Sequence, residues 1–291
     1  MKVLIAGRNG QLAWELLRSV PRDWQATAFD ADAMDIRDRE AVQRTVADSG
    51  AGLIINAAAF TAVDRAESDP EQAYAVNGHG VAHLAEAARE RSARLIHLST
   101  DYVFDGRQSR PYAVNDRANP IGVYGASKLE GERMAQAFCG PKALIVRTSW
   151  LYSVHGNNFV KTMLRLMAER DSLRVVADQV GSPTCCRGLA EAIWRLAATE
   201  AAGIFHWSDA GVASWYDFAV AVQEEALAFG LLSGTVPVEP VSSAEYPTPA
   251  RRPFYSVLDK SATWQMLGGS APHWRVNLRR MLRELKDLQD G

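Results

Sequence analysis

Val3-Leu4-Ile5-Ala6-Gly7-Arg8-Asn9-Gly10-Gln11-Leu12-Ala13 decides how this chain is read. Its apolar start suits a strand buried on both faces, Gly7-x-x-Gly10 suits a tight turn, and Leu12, Leu16 and Leu17 recur at helical spacing. In that order, the turn offers a pyrophosphate its backbone N–H groups and the positive end of the helix, with no Cβ in the way at Gly7 or Gly10. Ala13 stands where a third glycine is usual and is small enough for helix and strand to approach. The stretch reads as the phosphate grip of a dinucleotide-binding unit.

Outward from it, short apolar runs alternate with amphipathic stretches: Ala26 to Phe29, Leu53 to Asn56, Leu95 to Ser99 and Ala143 to Arg147. Between them the Ala-rich stretch from Glu71 to Ser92 predicts one helix. Such alternation predicts an α/β fold, a Rossmann-type doubly wound parallel sheet over residues 1–150, with later segments free to return to it. After Trp150 the rhythm loosens, and Tyr246-Pro247-Thr248-Pro249-Ala250-Arg251-Arg252-Pro253 cannot continue a helix or a central strand. Residues 151–291 therefore read as mainly a smaller substrate-binding lobe. It closes on an amphipathic helix from Val276 to Gln289, with Leu278, Met281, Leu282, Leu285 and Leu288 on one stripe.

The 291 residues are 47% hydrophobic and 23% charged, with a formal net charge of -2. That balance offers no basic field for nucleic acid or anionic lipid, so neither is expected as a partner. The run from Val3 to Ala6 is too short for a signal sequence or a membrane span, which reads as a cytoplasmic protein. Three cysteines, Cys139, Cys185 and Cys186, fit a reducing compartment and show no zinc spacing.

Three strand ends converge on one crevice. Asp30, about twenty residues past the turn, can accept hydrogen bonds from ribose hydroxyls. Its carboxylate disfavours a 2′-phosphate, whereas Arg8 favours one, so NADPH and NADH both stay open. Asp35 and Ile36 can flank an adenine. Asn56-Ala57-Ala58-Ala59 and Leu98-Ser99-Thr100 supply small or polar residues where a cofactor would lie close to backbone. Downstream, Tyr124-Gly125-Ala126-Ser127-Lys128 places a phenol and an ammonium one helical turn apart. Hydride delivery to a carbonyl requires a proton on the oxygen, and the pattern assigns it to Tyr124. Lys128 is expected to lower the phenol's pKa and hold the nicotinamide ribose, with Thr100 completing the donor set.

These residues resemble the dTDP-4-dehydrorhamnose reductase family of the extended short-chain dehydrogenase/reductases, over nearly the whole chain. The likeness is carried by Gly7 to Leu12, Asn56 to Asp64, Ser99-Thr100-Asp101-Tyr102-Val103-Phe104-Asp105-Gly106, Tyr124 to Glu132, Arg147 to Trp150, Gly156 to Phe159, Asp178 to Thr184 and Pro247 to Pro253. The resemblance implies reduction of the 4-keto group of dTDP-4-dehydro-6-deoxy-L-mannose by NADPH or NADH, with Tyr124, Lys128 and Thr100 catalytic. It places the cofactor against Gly10, Gln11, Leu12, Asp30, Asp35, Ile36, Ala58, Ala59, Phe60, Thr61 and Leu98. The sugar falls against Val63, Thr100, Asp101, Tyr102 and Trp150, whose indole would pack on the deoxyhexose, and Arg252 would pair with the diphosphate.

Some members of the family dimerise through a magnesium ion. Glu15 is a possible ligand here, but Cys185-Cys186-Arg187 carries no second carboxylate, so no metal is expected and the chain reads as a monomer or a homodimer. Two rivals share the fold: a nucleotide-sugar 4-ketoreductase giving a different epimer, and a non-catalytic NADP-binding regulatory subunit. A dehydratase would want a glutamate where Tyr102 follows Asp101.

Overall fold

The computed structural model describes residues 1–290, so Gly291, the last residue assigned to the lobe, lies outside them. Five strands come in the order expected: β1 (Lys2–Ala6), β2 (Gln25–Phe29), β3 (Leu53–Asn56), β4 (Arg94–Thr100) and β5 (Ala143–Thr148). A sixth, β6 (Gly203–His206), adds to β5. All are parallel, in the spatial order β6-β5-β4-β3-β1-β2. The order reverses between β1 and β3, and the carboxyl ends of strands at such a reversal form the crevice where ligands bind in open α/β sheets.

Alternation along the strands divides the core in two. Val3, Ile5, Leu53, Ile55, Ile96, Leu98, Leu144 and Val146 face α1 (Gln11–Arg18) and a later helix at Cys186–Ala197. Leu4, Ile54, Leu95 and Ile145 face α2 (Arg39–Ser49) and the helices at Gly80–Glu90 and Val123–Cys139. Both faces are covered, which is why the strands are nearly continuous in apolar residues. Local signals set the ends: Asp38 caps α2 by accepting from Glu40 N and Ala41 N, and Gly50 closes it at φ 59°.

The stretch from Glu71 to Ser92 is not one α-helix. After α3 (Val63–Ser68) it divides into α4 (Pro70–Tyr74), a π-helical turn at Ala75–His79, and α5 (Gly80–Glu90). The wide turn coincides with Asn77 facing inward. Its Oδ1 accepts from Phe60 N (2.8 Å), and its Nδ2 donates to Phe60 O (3.1 Å) and Ser127 Oγ (3.0 Å). A π-turn inside a helix is commonly a functional feature.

Beyond α6 (Val123–Cys139) the chain leaves the sheet, then comes back. Residue 150 marks its first exit, because the helix at Cys186–Ala197, β6, and Leu267 and Ala271 all join the core against α1. Between these returns, α7 (Phe159–Glu169), α8 (Cys186–Ala197), α9 (Trp215–Ala228), α10 (Ser261–Met266) and α11 (Trp274–Asp290) follow in order. Helices α7, α9 and α11 build a separate core around Tyr152, Met163, Phe218, Val222, Leu278 and Leu282. On α11, Leu278, Met281 and Leu282 are buried while Leu288 is 63% exposed, so the apolar stripe outruns its contact. No helix among the described residues is long and apolar enough to cross a membrane. The three cysteines are free and buried.

Candidate functional site

At the reversal point, Gly7 adopts φ +95°, and a Cβ there would lie 2.7 Å from Ala58 N. Its N–H donates to Phe29 O (2.8 Å), as does that of Arg8 (3.0 Å), tying the turn to β2. Only glycine tolerates both the angle and the approach. Helix α1 starts at Gly10 without a side-chain cap, leaving its first N–H groups available to an anion. A cleft of about 350 Å³ opens above, and Gly7, Gly10, Asp30, Asp35, Ile36, Ala58, Ala59 and Phe60 line it. Its backbone-lined floor and uncapped helix end fit a dinucleotide.

Beyond the Tyr124 and Lys128 pair, four expected cofactor residues do not line that cleft, and one of them, Leu98, is buried in the sheet core. Leu12 is buried in the core, Gln11 accepts from Asn158 Nδ2 (2.9 Å), and Thr61 is exposed. The sequence marks Asn56 only as a strand end and gives no sign of Asn77 or Arg37, yet all three hold the cleft's walls. Asn56 Oδ1 accepts from Ala58 N (3.1 Å) while its Nδ2 meets His97 Nδ1 (3.1 Å), and Asn77 fixes Phe60 from the other side. Arg37, at the rim, pairs with Asp35 (2.6 Å) and donates to Gln72 (3.1 Å).

Tyr124, Lys128 and Thr100 come together where β4 ends. Gly125 lets the first turn of α6 press against the Tyr102 carbonyl, a space a Cβ would fill. Thr100 Oγ1 accepts from Tyr102 N (3.2 Å) and donates to Asp101 Oδ1 (3.1 Å). The Tyr102 ring meets Tyr124 edge-on at 5.8 Å. Lys128 Nζ donates to Leu98 O at 2.5 Å.

The lowering of the phenol's pKa expected of Lys128 does not prevail over burial. Burial pushes Tyr124 up to about 12, the Thr100 hydroxyl opposes this, and the Asp101 charge adds to it. One N–H of the ammonium is taken by the β4 carbonyl, and burial pulls Lys128 itself down to about 8, with Glu132 acting against that fall. Burial likewise pushes Asp101 up to about 7 against hydrogen bonds from Ser256 and Thr100, and its Oδ2 is buried without a partner. At neutral pH the phenol keeps its proton.

A second cleft, about 910 Å³, lies on the lobe side. Arg107, Arg174, Arg251 and Arg252 line it with Phe159, Trp215, Tyr246 and Phe254, opposite Asp64 and Asp105. Arg252 is not free: it holds Asp64 bidentately (3.0 and 2.7 Å) and also donates to Thr248 Oγ1 (2.7 Å). Trp150 stacks flat on Trp215, 3.5 Å between centroids, so that Trp215 rather than Trp150 lines the cleft. Trp150 also sits at φ 48°, a conformation costly for a bulky residue and held here by its neighbours. Val63 opens α3, and its neighbour Asp64, not Val63 itself, lines the cleft.

Glu15 lies elsewhere, 3% exposed, accepting from Ser153 Oγ (2.8 Å). Arg18 stands 3.7 Å from it and 2.7 Å from Glu284, which Arg187 also approaches at 4.0 Å. Glu191, which Arg187 meets at 3.5 Å, lines the same pocket, so three carboxylates here already have guanidinium partners, and no metal-holding cluster occurs among the described residues.

The family model for the RmlD substrate binding domain matches residues 1–287. The dTDP-4-dehydrorhamnose reductase of Escherichia coli K12 is 42% identical over 294 residues, covering 98% of both chains. A crystal structure of the Clostridium acetobutylicum reductase superposes with a TM-score of 0.92 at 38% identity, covering 100% of each chain. The Bacillus anthracis reductase, solved in complex with NADP, gives 0.92 at 38% identity, with 97% of this chain and 99% of that one covered. With the glycine turn, the Tyr124 helix and both clefts in one frame, the chain belongs to the dTDP-4-dehydrorhamnose reductase family.

Proposed function

We propose that this chain reduces dTDP-4-dehydro-6-deoxy-L-mannose to dTDP-L-rhamnose with NADPH or NADH, a step of nucleotide-sugar and cell-surface polysaccharide biosynthesis. One observation carries the reading. Tyr124, read here as the seam between the clefts, has Thr100 at the end of β4 on one side and the Tyr102 ring on the other, and Tyr102 in turn lies beside Arg252 of the second cleft.

The cofactor, when bound, supplies a hydride to C4 of the sugar. Gly7, Gly10 and the start of α1 hold its pyrophosphate, with Asp30, Asp35 and Ile36 at the adenosine end and Ala58, Ala59 and Phe60 along its length. Gln11 and Leu12 would offer the first N–H groups of the uncapped α1 to that pyrophosphate, and Thr61 would stand next to Phe60. Tyr124 gives its proton to O4, and its raised pKa keeps that proton in place until charge develops there. Thr100, whose hydroxyl rests on Asp101, can turn to donate to the phenoxide left once the proton has gone. Lys128 donates one N–H to Leu98 and directs the others to the ribose.

On the sugar side, four guanidinium groups suit a diphosphate, and the aromatic rings suit a flat base. Arg252 reaches phosphate by giving up Asp64. Val63, Asp101 and Tyr102 border the hexose, with Trp150 backing Trp215. The protein is cytoplasmic in this reading, acting as a monomer or homodimer without magnesium. Purified protein, given enzymatically prepared ketosugar, should consume NADPH or NADH only when the sugar is present. Consumption without sugar, or none with it, contradicts the reading.

A further inference from the structure

Tyr124, Lys128 and Glu132 are spaced four apart on α6 and share one face. The third has no part in the chemistry above. Glu132 is 2% exposed, yet its carboxylate is fully engaged. Oε1 accepts from Ser99 Oγ (2.5 Å) and Arg147 Nε (2.8 Å), and Oε2 accepts from Arg147 Nη2 (2.6 Å). Arg147, near the end of β5 and equally buried, lies over the Phe104 ring at 5.1 Å and reaches Val114 O and His206 Nε2.

A buried ion pair seldom returns more stability than well-packed apolar residues of the same size, because both charges lose their water. What this one specifies is register. Ser99 lies between Leu98, whose carbonyl holds Lys128, and Thr100, which faces Tyr124. Successive turns of α6 are thus fastened to successive residues of β4, and Arg147 fastens the same carboxylate to β5.

The charges around Lys128 make the second half of the argument. On α6 it has Glu132 one turn after and the neutral Tyr124 one turn before. From β4 it meets His97, which burial and the Lys128 charge keep neutral, and the Leu98 carbonyl. Glu132 is the one anion acting on Lys128, and it also neutralises Arg147. Without it, an unbalanced guanidinium would share the layer with the ammonium.

We propose that Glu132 is a positioning residue for the reduction: clamped between Ser99 and Arg147, it fixes Lys128 on the Leu98 carbonyl and keeps that ammonium charged beside Tyr124. This rests on the reading of Lys128 as the cation that holds the ribose.

The test is Glu132→Gln in the full chain, with two pH profiles: kcat on the ketosugar, and NADPH dissociation followed by fluorescence. Loss of the anion should move the basic limb of both to lower pH by about one unit, leaving KM for the sugar unchanged. Glu132→Asp, which keeps the charge, should bring the limb back. Should Glu132→Gln fail to fold, Glu132→Gln with Arg147→Met removes the orphaned cation as well, and the limb should move in the same direction by less; a limb left at the wild-type pH would overturn the proposal. A lower kcat with the wild-type limb would mean packing alone and overturn the proposal, as would a limb that Glu132→Asp fails to restore. If the wild-type protein binds NADPH but leaves the sugar unreduced, the functional reading fails while the NADPH profile still decides the role of Glu132.

Discussion

In the cofactor cleft the decisive surfaces are main chain: the Gly7 turn against Ala58, the uncapped start of α1, and the ends of β1 and β3. The lobe-side cleft is made of long side chains, with guanidinium groups and aromatic rings from Arg107 to Phe254 converging on it. A backbone site needs small residues at fixed local spacing and keeps its shape whatever surrounds it. A side-chain site draws on distant segments and has ion pairs, such as Arg252 with Asp64, that a ligand must exchange. Variants at the two sites should therefore fail differently, and those at the seam differently again.

The largest effect belongs to the seam. Tyr124→Phe should lower kcat by roughly 10³-fold while NADPH affinity barely changes, since only the transition state uses the proton. Steady-state kinetics beside a fluorescence titration checks this, and an unchanged kcat would remove Tyr124 from the chemistry. Next comes the backbone site. Gly7→Ala forces a Cβ onto Ala58 at a positive φ, so NADPH binding should weaken by on the order of 100-fold, read by calorimetry. Equal loss of binding to both ligands would erase the contrast between the clefts.

On the side-chain site, Arg252→Ala should raise KM for the dTDP-sugar by about 10-fold, the scale of one charge-assisted contact, and leave NADPH binding alone. A smaller, shared effect comes from pH. Lys128 loses its proton as pH rises through about 8, so kcat/KM for NADPH should fall above that point. A flat profile to pH well above 8 would show that Lys128 does not act as a cation.

The smallest effect is on stability. Burial pushes Asp209 up to about 7, above its unfolded value, so the stability gained by keeping it neutral is present in acid and lost as pH rises through about 7. Asp209→Asn should flatten the Tm profile across that range by a few degrees. An unchanged slope would place the titration elsewhere.

The same contrast explains what could be read from the chain. The first five strands and the Tyr124 helix follow from local pattern, and the strand boundaries shift by a residue or so. The π-turn at Ala75–His79 was invisible because its cause, Asn77 holding Phe60 and Ser127, is tertiary. β6 was missed because Gly203–His206 is short and follows a long excursion. Trp215 was passed over for Trp150 because a stack between residues far apart in sequence leaves no spacing to notice. The pKa of Tyr124 runs against expectation for a physical reason: spacing on a helix does not tell how deeply the phenol is buried.

Whether the seam performs the assigned reduction is decided most directly by NMR of the sugar after incubating the protein with dTDP-4-dehydro-6-deoxy-L-mannose and NADPH or NADH. The account predicts dTDP-L-rhamnose. Recovery of the 6-deoxytalose epimer, or of unreduced ketosugar, would contradict it.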